Sequence, residues 1–363
     1  MLSTGQFSPD WICPPGDTIA DLLGERKWST SDFATRIGAT SDYVANLLQG
    51  RSPVTEELAE NLARTLGASP AFWLNREAQY RSDLTRSLES ARHLEQEHWL
   101  KGLPVKDMVQ FGWIKPFQSA GEGVAACLAF FGASNLSSWR ERYADVFDGA
   151  AFRKSASFES HAGATAAWLR QGAIESASID CQTWDAVRFR ATLPKIRAVT
   201  RLKNLQDIVA TLRKLCAECG VAIVFLRTPS GCRASGATFF VSPDKAVMLL
   251  SFRYLSDDHF WFSLFHEAGH LLLHDKKGLF VEGEGPCSDK EETEANEFSS
   301  TTLIPPEYQP RLLALRANVW DIVRFAKSIG ISPGIVVGQL QHLKVLKRNH
   351  FNNLKSRYTW NAE

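Results

Sequence analysis

The sequence lacks an excess of charge of either sign, and it also lacks long apolar runs. Its 363 residues include 41 Lys and Arg against 40 Asp and Glu, a formal net charge of +1. This balance argues against a protein that binds polyanions over its whole surface, so any nucleic-acid surface must be local. No segment approaches the roughly 18 consecutive apolar residues of a membrane helix, and residues 1–10 lack the basic and apolar regions of a secretory signal. We therefore expect a cytoplasmic protein with no membrane partner.

The chain also lacks the cysteine pattern of a disulfide-rich protein. Its seven cysteines are an odd number and are dispersed, so reduced thiols are expected. Cys216 and Cys219 form a C-x-x-C pair, but no second pair completes a four-thiolate zinc site, and we assign them a structural role. The composition, with 44% hydrophobic and 22% charged residues, is typical of an ordinary folded protein with several domains.

Residue patterning divides the chain into three parts. Residues 1–80 contain short helical patterns separated by glycines, and residues 81–215 remain largely helical. In residues 216–363, three β-rich runs at 221–228, 236–243 and 245–252 predict a small antiparallel sheet, and helices return from Asp257 onward. The expected fold is therefore multi-domain and mainly α, with an all-α N-terminal domain, a helical connecting region and an α+β C-terminal domain.

The strongest chemical signal is the pentapeptide His266-Glu267-Ala268-Gly269-His270, which lies in a predicted helix. A spacing of four residues places both imidazoles on one helix face, close enough to bind a single Zn²⁺. Glu267 can then act on water at the metal as a general base, without binding the metal itself. We expect one zinc per chain, although manganese or iron could also occupy such a site.

A catalytic zinc needs a third protein ligand, and a carboxylate on a second helix is a common solution. The segment SDKEETEANEFSSTTLIPP predicts such a helix, with Ser288 and Glu291 at the spacing of a capping box and Pro305-Pro306 at its end. We favour Glu294 as the third ligand because it lies a full turn inside this helix. Glu291 is the alternative, whereas Glu292 and Glu297 are expected to be solvated.

The segments SFRYLSDDHFWFSLFHEAGHLLLH and ETEANEFSSTTLIPP resemble the ImmA/IrrE family of zinc metallopeptidases, and SIGISPGIVVGQLQHLKVL resembles its C-terminal helices. The similarity spans about residues 210–363. It implies a zincin-like metallopeptidase fold, with His266, His270 and Glu294 as the zinc ligands and Glu267 as the catalytic residue. One departure is that Ser299-Ser300 replaces the usual Ala-Ala after Phe298, a change that should affect packing more than chemistry.

A second signal at residues 31–73 has the form of a helix-turn-helix. Phe33, Ala34 and Ile37 would face inward on the first helix, Gly38 supplies the turn, and Val44, Leu47 and Leu48 would face inward on the second helix. Short polar groups at the start of the second helix suit contacts with phosphates and base edges, as does a following arginine. The expected DNA contacts are Thr40, Ser41, Asp42, Tyr43, Asn46, Gln49 and Arg51, although any helical bundle would show the same periodicity.

Residues 14–80 resemble the Xre-type helix-turn-helix domain of HigA-like antitoxins, through GDTIADLLGERKWS, GATSDYVANLLQGRSPVTEELAENLARTLG and SPAFWLNREAQY. The resemblance implies binding to double-stranded operator DNA, with a toxin as a further candidate partner. Residues 1–80 nevertheless contain six basic and ten acidic residues, a net charge of −4. Because DNA-binding domains are usually basic, we expect weak affinity per protomer and a homodimer on a two-fold operator.

Together these features predict a DNA-binding transcriptional regulator fused to a zinc-dependent endopeptidase. The resemblance implies that its substrate is a helix-turn-helix repressor or antitoxin, or the chain itself, in a stress, mobile-element or toxin–antitoxin response. The alternative is a repressor or antitoxin whose metallopeptidase-like domain acts as a sensor or interaction module without significant proteolysis.

Overall fold

The computed structural model of the chain describes residues 12–144, 156–251, 256–274, 280–281 and 289–358. The chain divides into two compact units, an N-terminal unit of residues 1–96 and a C-terminal unit of residues 97–363. The protein is mainly helical, with one small sheet in the C-terminal unit. Among the described residues, no helix is both long enough and apolar enough to cross a membrane.

In residues 12–96, the described part of the N-terminal unit, the regular elements are all helices. They are α1 (Pro15–Glu25), α2 (Thr30–Ile37), α3 (Ser41–Leu48), α4 (Glu56–Leu66) and the long α5 (Pro70–Lys101), which continues into the C-terminal unit. Ser29 starts α2 through a capping box with Asp32, Gly38 ends it at φ +70°, and Thr40 caps α3. These local signals fix the helix-turn-helix form that the sequence predicts.

The apolar faces of these helices form one core. Phe33, Ala34 and Ile37 of α2 are buried, as are Val44 and Leu47 of α3. Leu48 is half-buried and packs at the edge of the same core. The predicted inward positions therefore lie where amphipathic helices place them.

The C-terminal unit begins with a helical region and continues into the sheet. Its first helices are α6 (Val105–Gln110), α7 (Ala120–Phe131), α8 (Leu136–Arg142), α9 (Ala156–Ala177), α10 (Ala186–Val199) and α11 (Leu205–Ala217). The last two share a core with the sheet, because Phe189 and Leu212 pack in the same cluster as Val221. The predicted domain limits at residues 80 and 215 fall inside α5 and α11.

The sheet contains β1 (Val221–Phe225), β2 (Gly236–Ser242), β3 (Lys245–Leu250) and the short β4 (Phe280–Val281), in the order β1-β3-β2-β4. The prediction of an antiparallel sheet was wrong for one pair, because β1 runs parallel to β3. Ser242 pairs with Lys245, so a two-residue turn forces β2 and β3 to be antiparallel. The longer connection from β1 to β2 imposes no such pairing, and β3 lies between them.

The remaining helices pack against the sheet and one another. They are α12 (Asp257–Leu273), α13 (Asp289–Leu303), α14 (Gln309–Leu313), α15 (Val319–Ile329) and α16 (Pro333–His342), with 3-10 turns at Pro306–Tyr308 and Asn352–Leu354. Helix α12 is buried on nearly all sides, because it contacts β2 and β3 as well as α13 and α16. A helix in such a position is rigid and can hold reactive side chains accurately.

Candidate metal centre

Two imidazoles on the buried helix α12 face one point. Nε2 of His270 lies 3.0 Å from Nε2 of His266, one helical turn away, and each residue is only 1% exposed. Burial, and next the neighbouring His270, lower the pKa of His266 to about 4. This imidazole is therefore neutral near neutral pH, and the neutral form has the lone pair that binds a metal.

A carboxylate from α13 completes the cluster. The Glu292 oxygens lie 3.5 Å from Nε2 of His266 and 3.6 Å from Nε2 of His270. Donors in a tetrahedral site with bonds of 2.0–2.1 Å are separated by about 3.3 Å. The two imidazoles and the carboxylate therefore fit Zn²⁺ in both ligand type and spacing, with a fourth position for water.

The third member of this cluster differs from the residue expected from the sequence. The Glu294 carboxylate lies 3.1 Å from Nε2 of His274 and 3.6 Å from Nζ of Lys290. Two residues along an α-helix correspond to a rotation of about 200°, so Glu292 and Glu294 cannot face the same point. Of the described acids on α13, it is Glu292 that joins His266 and His270 in a group able to hold a metal.

Glu292, which the sequence leads us to expect in solvent, lies on a helix face that carries a signal for this role. Glu292 and Asn296 are four residues apart on α13, and Oδ1 of Asn296 lies 3.1 Å from Nδ1 of His266. On such a helix face, the carboxylate can bind a metal while the amide, one turn away, contacts the other ring nitrogen of a histidine ligand. The predicted cap at Ser288 lies outside the described residues.

His274 and Glu294 form a hydrogen-bonded chain behind His270. Nδ1 of His270 lies 3.0 Å from Nδ1 of His274, and Nε2 of His274 faces the Glu294 carboxylate. If Nδ1–H of His270 donates to His274, and Nε2–H of His274 donates to Glu294, Nε2 of His270 keeps its lone pair toward the cluster. This hydrogen-bonded chain holds the His270 ring in one orientation.

Glu267 lies beside the cluster and is fully buried. Its carboxylate packs against Gly236 at the start of β2, where a Cβ atom would lie 2.5 Å from Oε1 of Glu267. Any larger residue at position 236 would displace the carboxylate or the strand. The backbone of β2 therefore helps to fix the proposed general base.

Ser299 and Ser300, which follow Phe298 on α13, have different surroundings. Ser299 is fully buried, and its hydroxyl donates a 2.8 Å hydrogen bond to the carbonyl oxygen of Phe262 on α12. Ser300 lines a cavity of about 620 Å³, which we call the cleft. Phe262 and Asn296 also line the cleft, and both contact His266. The cleft therefore lies along the His266 side of the metal centre.

The residues predicted to contact DNA lie at α3 and the turn that follows it. Thr40, Ser41, Asp42, Gln49 and Arg51 are exposed, whereas Tyr43 and Asn46 are half-buried. The Thr40 hydroxyl accepts the backbone N–H of Tyr43, and the Asn46 carbonyl oxygen accepts the backbone N–H of Arg51. The first contact fixes the start of α3, and the second fixes the turn after it.

The C-terminal unit contains a region that matches a known family. Residues 217–340 match the family model Peptidase_M78, described as the IrrE N-terminal-like domain. This range includes His266, His270 and Glu292. Residues 217–340 form an IrrE N-terminal-like domain. The resemblance seen in the sequence is thereby confirmed for this part of the chain.

A curated relative and two solved structures match other, shorter parts of the chain. The uncharacterized HTH-type transcriptional regulator YddM of Escherichia coli (strain K12) is 36% identical over 61 residues, which are 17% of this chain and 65% of that protein. The chain thus spans just under two thirds of this relative's length. Taken together, the two matches show that this chain joins an N-terminal segment similar to an HTH-type transcriptional regulator to an IrrE N-terminal-like domain.

The two structures are small antidote proteins. An addiction module antidote protein of the HigA family from Coxiella burnetii is 26% identical, covers 23% of this chain and 92% of its own, and gives a TM-score of 0.21. An antidote protein of a plasmid maintenance system from Nostoc punctiforme is 30% identical, covers 22% of this chain and 88% of its own, and gives a TM-score of 0.20.

Proposed function

We propose that this chain is a DNA-binding regulator with a zinc-dependent endopeptidase, in which His266, His270 and Glu292 bind the metal and Glu267 is the general base. The observation that carries the proposal is the convergence of two imidazoles and one carboxylate, whose nitrogen and oxygen atoms lie 3.0–3.6 Å apart. The match of residues 217–340 to a family named as a peptidase supports the same chemistry. One zinc per chain is required.

The chemistry divides between the metal and the residues around it. When bound, Zn²⁺ supplies Lewis acidity, which polarises a peptide carbonyl and lowers the pKa of water. Glu267 accepts a proton from the attacking water and returns one to the leaving amine. Asn296 and the His274–Glu294 chain hold the two imidazoles in the orientation that the reaction needs.

The N-terminal unit supplies the regulatory part of the proposal. The α2–turn–α3 arrangement exposes Ser41 at the start of the helix that would enter the major groove, and the exposed Gln49 and Arg51 follow that helix. The relative named as an HTH-type transcriptional regulator supports operator binding. The protein substrate we favour is a second helix-turn-helix repressor or antitoxin, or the chain itself.

A cleavage assay tests the peptidase. The full chain is incubated with helix-turn-helix proteins encoded near its gene, with added zinc or with a chelator, and fragments are resolved by mass spectrometry. We expect cleavage that disappears with chelator and in Glu267→Gln, while Glu267→Gln retains its zinc because Glu267 is not a ligand. Zinc binding without cleavage of these proteins or of the chain itself would favour the alternative of a metal-binding sensor domain.

A further inference from the structure

A second, larger cavity lies beside the cleft, at the C-terminal end of α16. This cavity, which we call the basic pocket, has a volume of about 1110 Å³. Asp258, His259, Gly338 and His342 line both cavities. A continuous surface therefore leads from the metal centre, past α16, to the segment at residues 344–357.

Cations predominate among the charged residues that line the basic pocket. Its lining includes Lys344, Lys347, Arg348 and Arg357, and all four are exposed. None of them forms an ion pair with any residue in the described part of the chain. The pocket thus presents, around one concave surface, four cations that have no ion pair with any residue the structure describes.

The single carboxylate in the lining is already neutralised. Nζ of Lys355 lies 2.6 Å from Oδ2 of Asp258, and it also contacts Oε1 of Gln341 at 2.8 Å. The Ser256 hydroxyl donates a hydrogen bond to the other carboxylate oxygen of Asp258. Asp258 is only 9% exposed and its carboxylate is held by this network. It therefore does not compete with a ligand for the four outer cations.

We propose that the basic pocket binds an acidic segment of the protein substrate and thereby selects which polypeptides reach the metal centre. This inference rests on the proposed peptidase and specifies the chemistry of its substrate. Carboxylates of the segment would pair with the four cations, and Val345, which is exposed at the pocket wall, would contact an apolar side chain. Such contacts give specificity through charge and raise the rate of encounter.

The shape of the pocket favours a peptide over a nucleic acid. A volume of about 1110 Å³ holds a few extended residues, whereas a DNA duplex would cover a broad, open surface. The apolar contribution of Val345 and Leu346 also suits side chains better than a phosphate backbone. Continuity with the cleft then places the bound segment near the bond to be cut.

Binding of defined peptides tests this proposal directly. The full chain with Glu267→Gln is loaded with zinc, so that a probe is not hydrolysed. The probes are a fluorescent peptide that alternates Glu with Leu and a matched peptide that alternates Lys with Leu. The pocket variant is Lys344→Ala/Lys347→Ala/Arg348→Ala, and the control is Arg201→Ala/Lys203→Ala/Arg213→Ala, which removes three exposed cations outside both cavities.

We expect the acidic peptide to bind, the basic peptide not to bind, and the pocket variant to lose at least tenfold in affinity, about 1.4 kcal/mol. The control variant should bind like the parent.

Equal losses in both triple variants, or equal binding of the two peptides, would overturn the proposal. So would absence of acidic-peptide binding together with a pocket-specific loss of affinity for a random-sequence DNA duplex, which would assign the pocket to nucleic acid. Because the readout is binding, failure of the peptidase itself would leave a distinct result: normal peptide binding without cleavage by the parent chain.

Discussion

Two glutamates on α13, only two residues apart, contact different histidines. Glu292 faces Nε2 of both His266 and His270, whereas Glu294 faces His274. Sequence alone places both acids on the same short helix, and choosing between them requires the rotation of that helix about its axis. That rotation is set by packing against α12, where Gly269 lets the Ala295 backbone approach closely. A residue-level prediction could therefore identify the helix but not which of its glutamates faces the two imidazoles.

The first prediction separates the two glutamates by metal affinity. Glu292→Ala should lose most of the zinc, because it removes one of the three proposed protein ligands. Glu294→Ala should keep zinc but bind it about 10–100-fold more weakly, because His270 loses its orienting chain. Competition with a chromophoric chelator measures both affinities.

Glu297→Ala is the control for this comparison, because it removes an exposed acid of the same helix that contacts neither histidine of the cluster. It should bind zinc like the parent. A larger loss in Glu294→Ala than in Glu292→Ala would restore Glu294 as the third ligand.

Asp257, at the start of α12, is a buried carboxyl outside the metal centre. Burial raises its pKa from 3.8 to about 6, although hydrogen bonds from Ser332 and Ser356 oppose this shift and the neighbouring Asp258 adds to it. The Ser332 hydroxyl lies 2.6 Å from its carboxylate. Burial, and next the charge of the nearby Asp257, raise the phenol pKa of Tyr358.

The second prediction follows from this raised pKa. Between pH of about 4 and 6 the folded chain keeps a proton that the unfolded chain has released, so the free energy of unfolding falls as pH rises through this window. Asp257→Asn should remove this dependence and be more stable than the parent above pH 6, by up to about 3 kcal/mol. Urea unfolding in chelator at several pH values measures the difference.

Asp180→Asn removes an exposed carboxyl and controls for the loss of one negative charge. An Asp257→Asn curve that runs parallel to the parent curve from pH 4 to pH 7 would show that this carboxyl ionises alike in both states.

Among the elements, helix starts and strand positions were predictable, but strand order was not. Local signals such as the Ser29 capping box, Gly38 and Thr40 act within a few residues, and they lie where the helices begin and end. The β-rich runs also coincide with β1, β2 and β3. Pairing of β1 with β3 depends on contacts distant in the chain, which no local pattern encodes.

The third prediction concerns the contact between α1 and α3. A Cβ atom on Gly16 would lie 2.1 Å from the Leu48 carbonyl oxygen and 2.4 Å from its Cα. Because these are backbone atoms, which cannot rotate away as a side chain can, Gly16→Ala must separate α1 from α3. We expect this to lower the free energy of unfolding by about 2 kcal/mol or more. Hydrogen–deuterium exchange should show faster exchange of the α3 amides.

Gly24 on the same helix provides the matched control, since a Cβ atom there meets nothing within 4 Å. Gly24→Ala should stabilise α1 by up to about 1 kcal/mol, through helix propensity alone. Equal exchange in the two variants would show that the α1–α3 contact is not limiting for the N-terminal unit.

At the scale of the whole molecule, the charge distribution restricts how the protein can bind DNA. The chain as a whole has a net charge of +1, and residues 1–80 have a net charge of −4. Bulk attraction to phosphates is therefore weak, and binding must depend on specific contacts. Two copies on a two-fold operator would double those contacts, with the two α3 helices about one DNA turn apart.

The last prediction is that the full chain binds a roughly palindromic operator, most directly one upstream of its own gene, with a shallow dependence on salt. If each protomer neutralises one or two phosphates, the slope of log affinity against log salt for a dimer should be about −2 to −4. Arg51→Ala should weaken binding to all sequences alike, because an exposed arginine after α3 suits a phosphate. Asn46→Ala should instead change the preference among operators, because an amide on α3 suits a base edge.

Titrations of operator, half-operator and scrambled duplexes at several salt concentrations separate these effects. Equal affinity for operator and scrambled duplex at every salt concentration would indicate that the N-terminal unit binds a protein partner instead of DNA.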